Sequence, residues 1–215
     1  MNIALAFDTE TTGLPLFKEP SEHPDQPHIV QLAAVLVDLD TRRELASMDV
    51  IVKPEGWTIS DAVSAIHGIT QEHALDVGIP EAVAVEMLLA LWAQRTRIAH
   101  NEQFDARIVR IACMRHAPAF ADSWKAGRAE CTQLLSTPIL NLPPTEKMKR
   151  AGFNRPKSAN LGEAYEFFTG KKLENAHSAM ADTRACLEVF HAVKGWRGAE
   201  TSASEATAVA AGSAA

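Results

Sequence analysis

Three scarcities narrow the field before any motif is read. Cysteine is sparse: Cys113, Cys131 and Cys186 are scattered and odd in number, with no Cys-x-x-Cys pair. That argues against a disulfide framework and fits ordinary thiols buried as small hydrophobes in a reducing compartment. Long apolar runs are missing too; none approaches the ~20 residues a membrane span needs. The start lacks a basic segment, and its apolar run stops at Asp8, so neither a membrane nor a secretory signal is expected and the setting is read as cytoplasmic. Excess positive charge is also lacking. A net charge of −6 excludes a protein that coats nucleic acid by bulk electrostatics. It leaves room for an enzyme that grips a short nucleic-acid end locally, through metal ions.

The rest of the composition is ordinary. The 215 residues are 47% hydrophobic and 22% charged, enough for one α/β domain, and no internal repeat is visible. From Gly198 onward the chain is built from small and polar residues with no aromatic anchor, so 1–197 is read as the folded domain and 198–215 as a disordered Ala/Ser/Gly-rich tail.

Chemistry begins at the start of the chain. Ile3-Ala4-Leu5-Ala6-Phe7 reads as a buried strand that ends in Asp8 and Glu10. Strand side chains two apart share a face, so both carboxylates aim at one spot. Two adjacent anions raise each other's pKa and call for a cation, and oxygen-only donors favour Mg²⁺ or Mn²⁺. Thr11, Thr12 and Gly13 suit a turn that lets backbone approach a substrate.

Further along, Leu14 to Pro27 is a proline-rich loop. Ile29–Asp38 and Glu44–Val52 form a hairpin, which makes the first three strands antiparallel. Ser60 caps a short helix that ends at Gly68 within Ile66-His67-Gly68-Ile69-Thr70. Helices are expected over Pro80–Ala93, over Glu102–His116 with Asn101 or its neighbour as cap, from Thr132, over Leu161–Phe168, and from Ser178. Short strands are expected at Arg97–His100 and near Ser123-Trp124. Leu142 to Ser158, with three prolines and Lys147, Lys149, Arg150, Arg155 and Lys157, reads as a basic loop or lid.

Two more segments carry isolated acids: His100-Asn101-Glu102-Gln103-Phe104-Asp105, and His177 five residues ahead of Asp182. Taken singly, Asp105 reads more readily as a surface helix acid and His177 as a turn residue. In order, however, Phe-Asp-x-Glu-Thr-Thr-Gly-Leu, His-Asn-x-x-Phe-Asp and His-x-x-x-x-Asp resemble the three motifs of the DEDDh 3′→5′ exonucleases. The match covers residues 3 to about 193. The resemblance implies a ribonuclease-H-like α/β fold, a mixed five-stranded sheet of three antiparallel then parallel strands, flanked by helices. It implies a catalytic set of Asp8, Glu10, Asp105, His177 and Asp182, the four acids holding two divalent metal ions (Mg²⁺ or Mn²⁺) and His177 acting as general base. It also implies contacts to the terminal nucleotide from Thr11, Gly13 and Leu14, with His67, Asn101 and Phe104 as further contacts to sugar and base.

The substrate implied is a single-stranded DNA 3′ end, with RNA ends as the near rival. A non-catalytic nucleic-acid-end module and a small-molecule phosphatase are the other classes open at this point. A DNA polymerase partner is compatible with the resemblance, but a tail without an apolar anchor favours a stand-alone enzyme.

Overall fold

The sheet is built around β1 (Ile3–Thr11), because this strand is apolar on both faces until its last residues. Beside it lies β2 (Ile29–Asp38), almost wholly buried, and β3 (Arg43–Ile51) closes the hairpin. Both pairings are antiparallel, with Glu10 opposite Gln31 and a register shift just after it. On the other side, β4 (Thr96–Ala99) and β5 (Ala129–Cys131) run parallel to β1, giving the order β3-β2-β1-β4-β5. This is the expected mixed five-stranded sheet. The structure, a computed structural model, describes residues 1–196; the expected disordered tail 198–215 lies outside the described residues.

Helices cover both faces. α3 (Glu81–Trp92), α4 (Glu102–His116) and α5 (Pro118–Ala126) pack over Leu5 and Phe7, where Trp92 and Trp124 meet edge to face. On the opposite face Ala4, Ala6 and Ile98 meet Cys186, Leu187 and Phe190 of α9 (Ala179–Gly195). α6 (Thr132–Leu140) and α8 (Leu161–Thr169) flank α9, and α1 (Asp61–His67) and α2 (Gln71–Val77) sit over Val30 and Ile69. Cys113 and Cys186 are buried as the sequence suggested, and burial drives both thiols up, Cys113 to about 11.

Several local expectations need correction. Ser123-Trp124 is helical, not a strand: Pro118 starts α5 and Trp124 turns inward to donate to the Ala106 carbonyl, so the fifth strand falls at Ala129–Cys131. Neither Ser60 nor Asn101 caps through its side chain, although each holds the N-cap position. Asn101 is left-handed (φ 61°) instead of the extended conformation in which a capping side chain reaches the first free amides of the helix. The basic segment contains a short helix, α7 (Glu146–Arg150), capped by Thr145. The α2 helix follows directly on the Ile-His-Gly-Ile-Thr segment, with Thr70 as its cap.

β4 is shorter than β1, and their pairing stops at Ala6 opposite Ile98. Asp8 to Thr11 therefore project beyond the parallel half of the sheet. Helices from both faces converge on that overhang, the usual place for ligands in an open α/β sheet.

Candidate active site

Asp8 and Glu10 lie on the overhang, on the face of β1 that Ala4 and Ala6 turn toward α9. Asp105 reaches the same place from the other face. It is buried one turn into α4, and its Oδ1 accepts from the Thr9 amide (3.1 Å) and the Thr9 hydroxyl (2.7 Å). Asp182 stands in the first turn of α9, where the helix dipole favours a negative charge. Its Oδ2 accepts from the His177 amide at 3.0 Å, while its buried Oδ1 has no partner among the described residues.

His177 adopts a left-handed conformation (φ 67°). That turn lets its amide bond Asp182 while its imidazole stays exposed. Donor atoms of Glu10, His177 and Asp182 come within 4.8 Å of one another. The four acids feel each other's charge. Burial, then Asp105, Asp182 and Glu10, push the Asp8 carboxyl well above the usual range. Burial, then Asp182 and Asp105, push Glu10 up to about 8. Burial takes Asp105 to about 7 against the pull of its Thr9 bonds, and it also raises Asp182. A cluster of carboxylates that resist ionising, one of them with an orphaned buried oxygen, fits hard divalent cations.

The other expected residues stand on the segments that adjoin these acids, β1 and its following turn, α1 and the start of α4. Thr11 donates its hydroxyl to the Gly13 carbonyl (2.8 Å), and a Cβ on Gly13 would meet open space. Leu14 is 74% exposed just beyond. His67 accepts from the Ile69 amide at Nδ1, which leaves Nε2 carrying the proton, buried and without a partner among the described residues. Burial and then the proximity of His177 lower its pKa, so His67 faces the site as a neutral donor. Asn101 is exposed at the start of α4, whereas Phe104 is half-buried against the core.

Residues the motifs did not point to hold this arrangement. Gln31, opposite Glu10 on β2, accepts from the Ala179 amide (3.1 Å) and donates to Asp49 (2.7 Å), pinning the start of α9 to the sheet. Its sequence signal was a lone amide inside the apolar run 29–37. The buried Arg97–Glu102 pair (3.0 Å), with Arg97 over the Trp124 ring (4.3 Å), fixes β4 to the first turn of α4. The Leu14–Pro27 loop is fastened rather than loose. Buried Gln26 bonds Leu16 and Pro20, and Arg107, Arg110 and Arg115 reach Glu19, Ser21 and Pro27. Thr12 exchanges two 3.0 Å bonds with His28.

Among solved structures, the chain is similar to exonuclease I in a study of how processivity is achieved: 21% identity, TM-score 0.70, over 92% of this chain and 42% of that one. It is similar to E. coli exonuclease I in complex with a dT13 oligonucleotide, at 20% identity and TM-score 0.69 over 91% of this chain and 41% of that one. The zinc-bound form of the E. coli exonuclease I–single-stranded DNA complex also matches, at 20% identity and TM-score 0.69 over 92% and 41%. The chain thus spans about two fifths of the length of these proteins, and the likeness is one of fold. No match is found among curated proteins. A match to the family model for exonucleases runs from residue 5 to residue 190, through all three acidic segments, and on that extent the chain belongs to the exonuclease family.

Proposed function

We propose that the protein is a metal-dependent 3′→5′ exonuclease that releases nucleoside monophosphates from single-stranded DNA. The observation that carries the reading is the meeting of Asp8, Glu10, Asp105 and Asp182 at one end of β1, each raised above its ordinary range. A module that only bound nucleic acid would have no use for four mutually repelling acids. The oligonucleotide complexes of exonuclease I support single-stranded DNA as the polymer.

Asp8, Glu10, Asp105 and Asp182 would hold two divalent ions, Mg²⁺ or Mn²⁺. Such a pair, when bound, neutralises the charge that develops on the attacking and leaving oxygens of an in-line displacement at phosphorus. The chain's own groups do the rest. His177 accepts the proton of the attacking water at an exposed imidazole nitrogen, and the turn between it and Asp182 sets where that nitrogen stands. Hard cations prefer oxygen, so the acids take the ligand role and the imidazole is left as the base. Backbone groups near Thr11 and Gly13 orient the terminal nucleotide, exposed Leu14 wedges at its base, and His67 and Asn101 offer donors beside it.

The test is a time course on 5′-labelled single-stranded DNA and RNA of one sequence, with Mg²⁺, Mn²⁺ or EDTA, beside Asp8→Ala. The expected result is a ladder shortening from the 3′ end, faster on DNA and abolished by EDTA and by the substitution. Faster RNA trimming would move the substrate to RNA. Binding with no shortening of either polymer would sink the catalytic reading.

A further inference from the structure

Positive charge is unevenly placed in this acidic protein. The 17 residues 142–158 carry five of its 21 lysines and arginines against one acid, Glu146. They form an excursion whose ends meet: the Lys157 amide donates to the Leu142 carbonyl at 3.1 Å. Its exit is tied to the catalytic side of the molecule. Ala159 is fully buried, and its carbonyl accepts from His100 Nε2 (3.0 Å), the residue just before Asn101 and the helix that carries Asp105. The exit of the excursion is thus anchored to the segment that leads into the helix carrying Asp105.

The excursion exposes aromatic and apolar surface together with its charge. Phe153 is 54% exposed, with the Arg155 guanidinium 5.8 Å from its ring centre. Across from them α6 presents Leu134, 65% exposed. These residues, with Pro138 and Met148, line a groove of about 750 Å³. Lys149 pairs with Glu146, and Lys157 with Glu163. Lys147, Arg150 and Arg155 have no acidic partner among the described residues. Of these three, Arg155 lines the groove, while Lys147 and Arg150 stand on α7, which lends Met148 to its wall. Unneutralised cations on and beside an exposed aromatic groove complement a polyanion whose flat apolar groups are also accessible. A single-stranded nucleic acid is such a molecule, whereas a duplex keeps its base faces stacked against one another.

We infer that this groove is a second holding point for the single strand, taking nucleotides 5′ of the end that the acidic cluster cuts: Phe153 stacks a base, while Lys147, Arg150 and Arg155 contact phosphates. The inference rests on the exonuclease reading of the acidic site. It makes the enzyme prefer long strands over short ones, with little regard to base identity.

Two measurements test it. Binding of 5′-fluorescein dT15 is followed by anisotropy in EDTA, for the full-length protein and for Lys147→Ala/Phe153→Ala/Arg155→Ala, with circular dichroism to verify folding. The variant is expected to bind about tenfold or more weakly, from the loss of one stacked base. Its log Kd should depend on log salt with a slope smaller by about two, one for each lost cation. With metal, the wild-type preference for dT15 over the dinucleotide, in kcat/KM, should collapse by a similar factor. Unchanged dT15 affinity and salt slope would overturn the inference, as would an equal loss on dT15 and the dinucleotide. Failure of the exonuclease reading shows separately, as absent hydrolysis of both oligomers by the wild type, while the EDTA binding data still decide the groove.

Discussion

Two glutamates of this protein sit in poorly solvated surroundings and behave in opposite ways. Glu81, 4% exposed at the start of α3, accepts from the Ile29 amide at Oε1 (3.0 Å) and lies 2.9 Å from His28 Nδ1 and 3.0 Å from His116 Nε2 at Oε2. Burial pushes its pKa up, but these bonds outweigh it and hold the carboxyl below the usual range. Glu10 is half-buried, beside the exposed His177 and among acids, and desolvation followed by Asp182 and Asp105 lifts it to about 8. A buried acid that is fully partnered belongs to the frame. A buried acid surrounded by acids is waiting for something the chain does not supply.

The sharpest way to break that comparison is to neutralise each glutamate. Glu10→Gln should cost several kcal/mol of transition-state stabilisation, or roughly 10³-fold in turnover. In EDTA the same change relieves repulsion and should raise the melting temperature by about 2–4 °C, the shift of ~1 kcal/mol in a domain this size. Glu81→Ala should do the reverse. Leaving His28, His116 and the Ile29 amide without their acceptor is expected to cost about 3–5 kcal/mol, read by urea unfolding. If both substitutions lower the melting temperature in EDTA, the two glutamates do not differ as argued.

A milder test reaches the residues that hold the acids. Thr9→Val removes the 2.7 Å hydroxyl bond to Asp105, and Gln31→Leu removes the acceptor for the first amide of α9. Each should lower metal affinity or turnover by about 10–100-fold, as loss of a group that orients a metal ligand does. The signature is a raised metal concentration for half-maximal activity, largely recovered at saturating Mn²⁺. A loss that excess metal leaves untouched would show that these residues do not act by positioning carboxylates.

The legibility of the molecule follows the same division. Asp8 and Glu10 could be read because their spacing on a strand fixes a shared face, whereas Asp105, His177 and Asp182, each unremarkable alone, were legible only as an ordered set that resembles the exonuclease motifs. The strands β1 to β3 were equally plain, since long apolar runs leave little freedom. What could not be read depends on distant partners. Ser123-Trp124 looks like a strand until Trp124 is seen bonded to Ala106 and packed on Trp92. Gln31 finds its role 148 residues away, and Asn101 looks like a side-chain cap until its left-handed backbone is seen to leave it without a cap bond. Tertiary contacts override local preference at these points.

The smallest effect is also the most direct measure of the acidic field. In the metal-free protein Glu10 titrates near 8 and Asp105 near 7, against ordinary values of 4.5 and 3.8. Between about pH 4 and 8 the folded state therefore binds more protons than the unfolded one. Stability must fall as pH rises through that window, with the full contribution present below the ordinary values and lost above the raised ones. Glu81 has the opposite sign: held low, it costs stability only when pH falls below its ordinary 4.5. Melting temperatures in EDTA should thus be highest near pH 4.5, where the two opposing contributions meet, and decline toward pH 8. Mn²⁺ should raise them more at pH 8 than at pH 5, because only ionised acids bind it. Glu10→Gln should flatten the decline and shrink the Mn²⁺ gain, while Glu81→Gln should leave both in place and soften the drop on the acid side. A metal-free melting temperature that climbs from pH 5 to 8 would mean the four acids ionise without strain, and the contrast between the two glutamates would be gone.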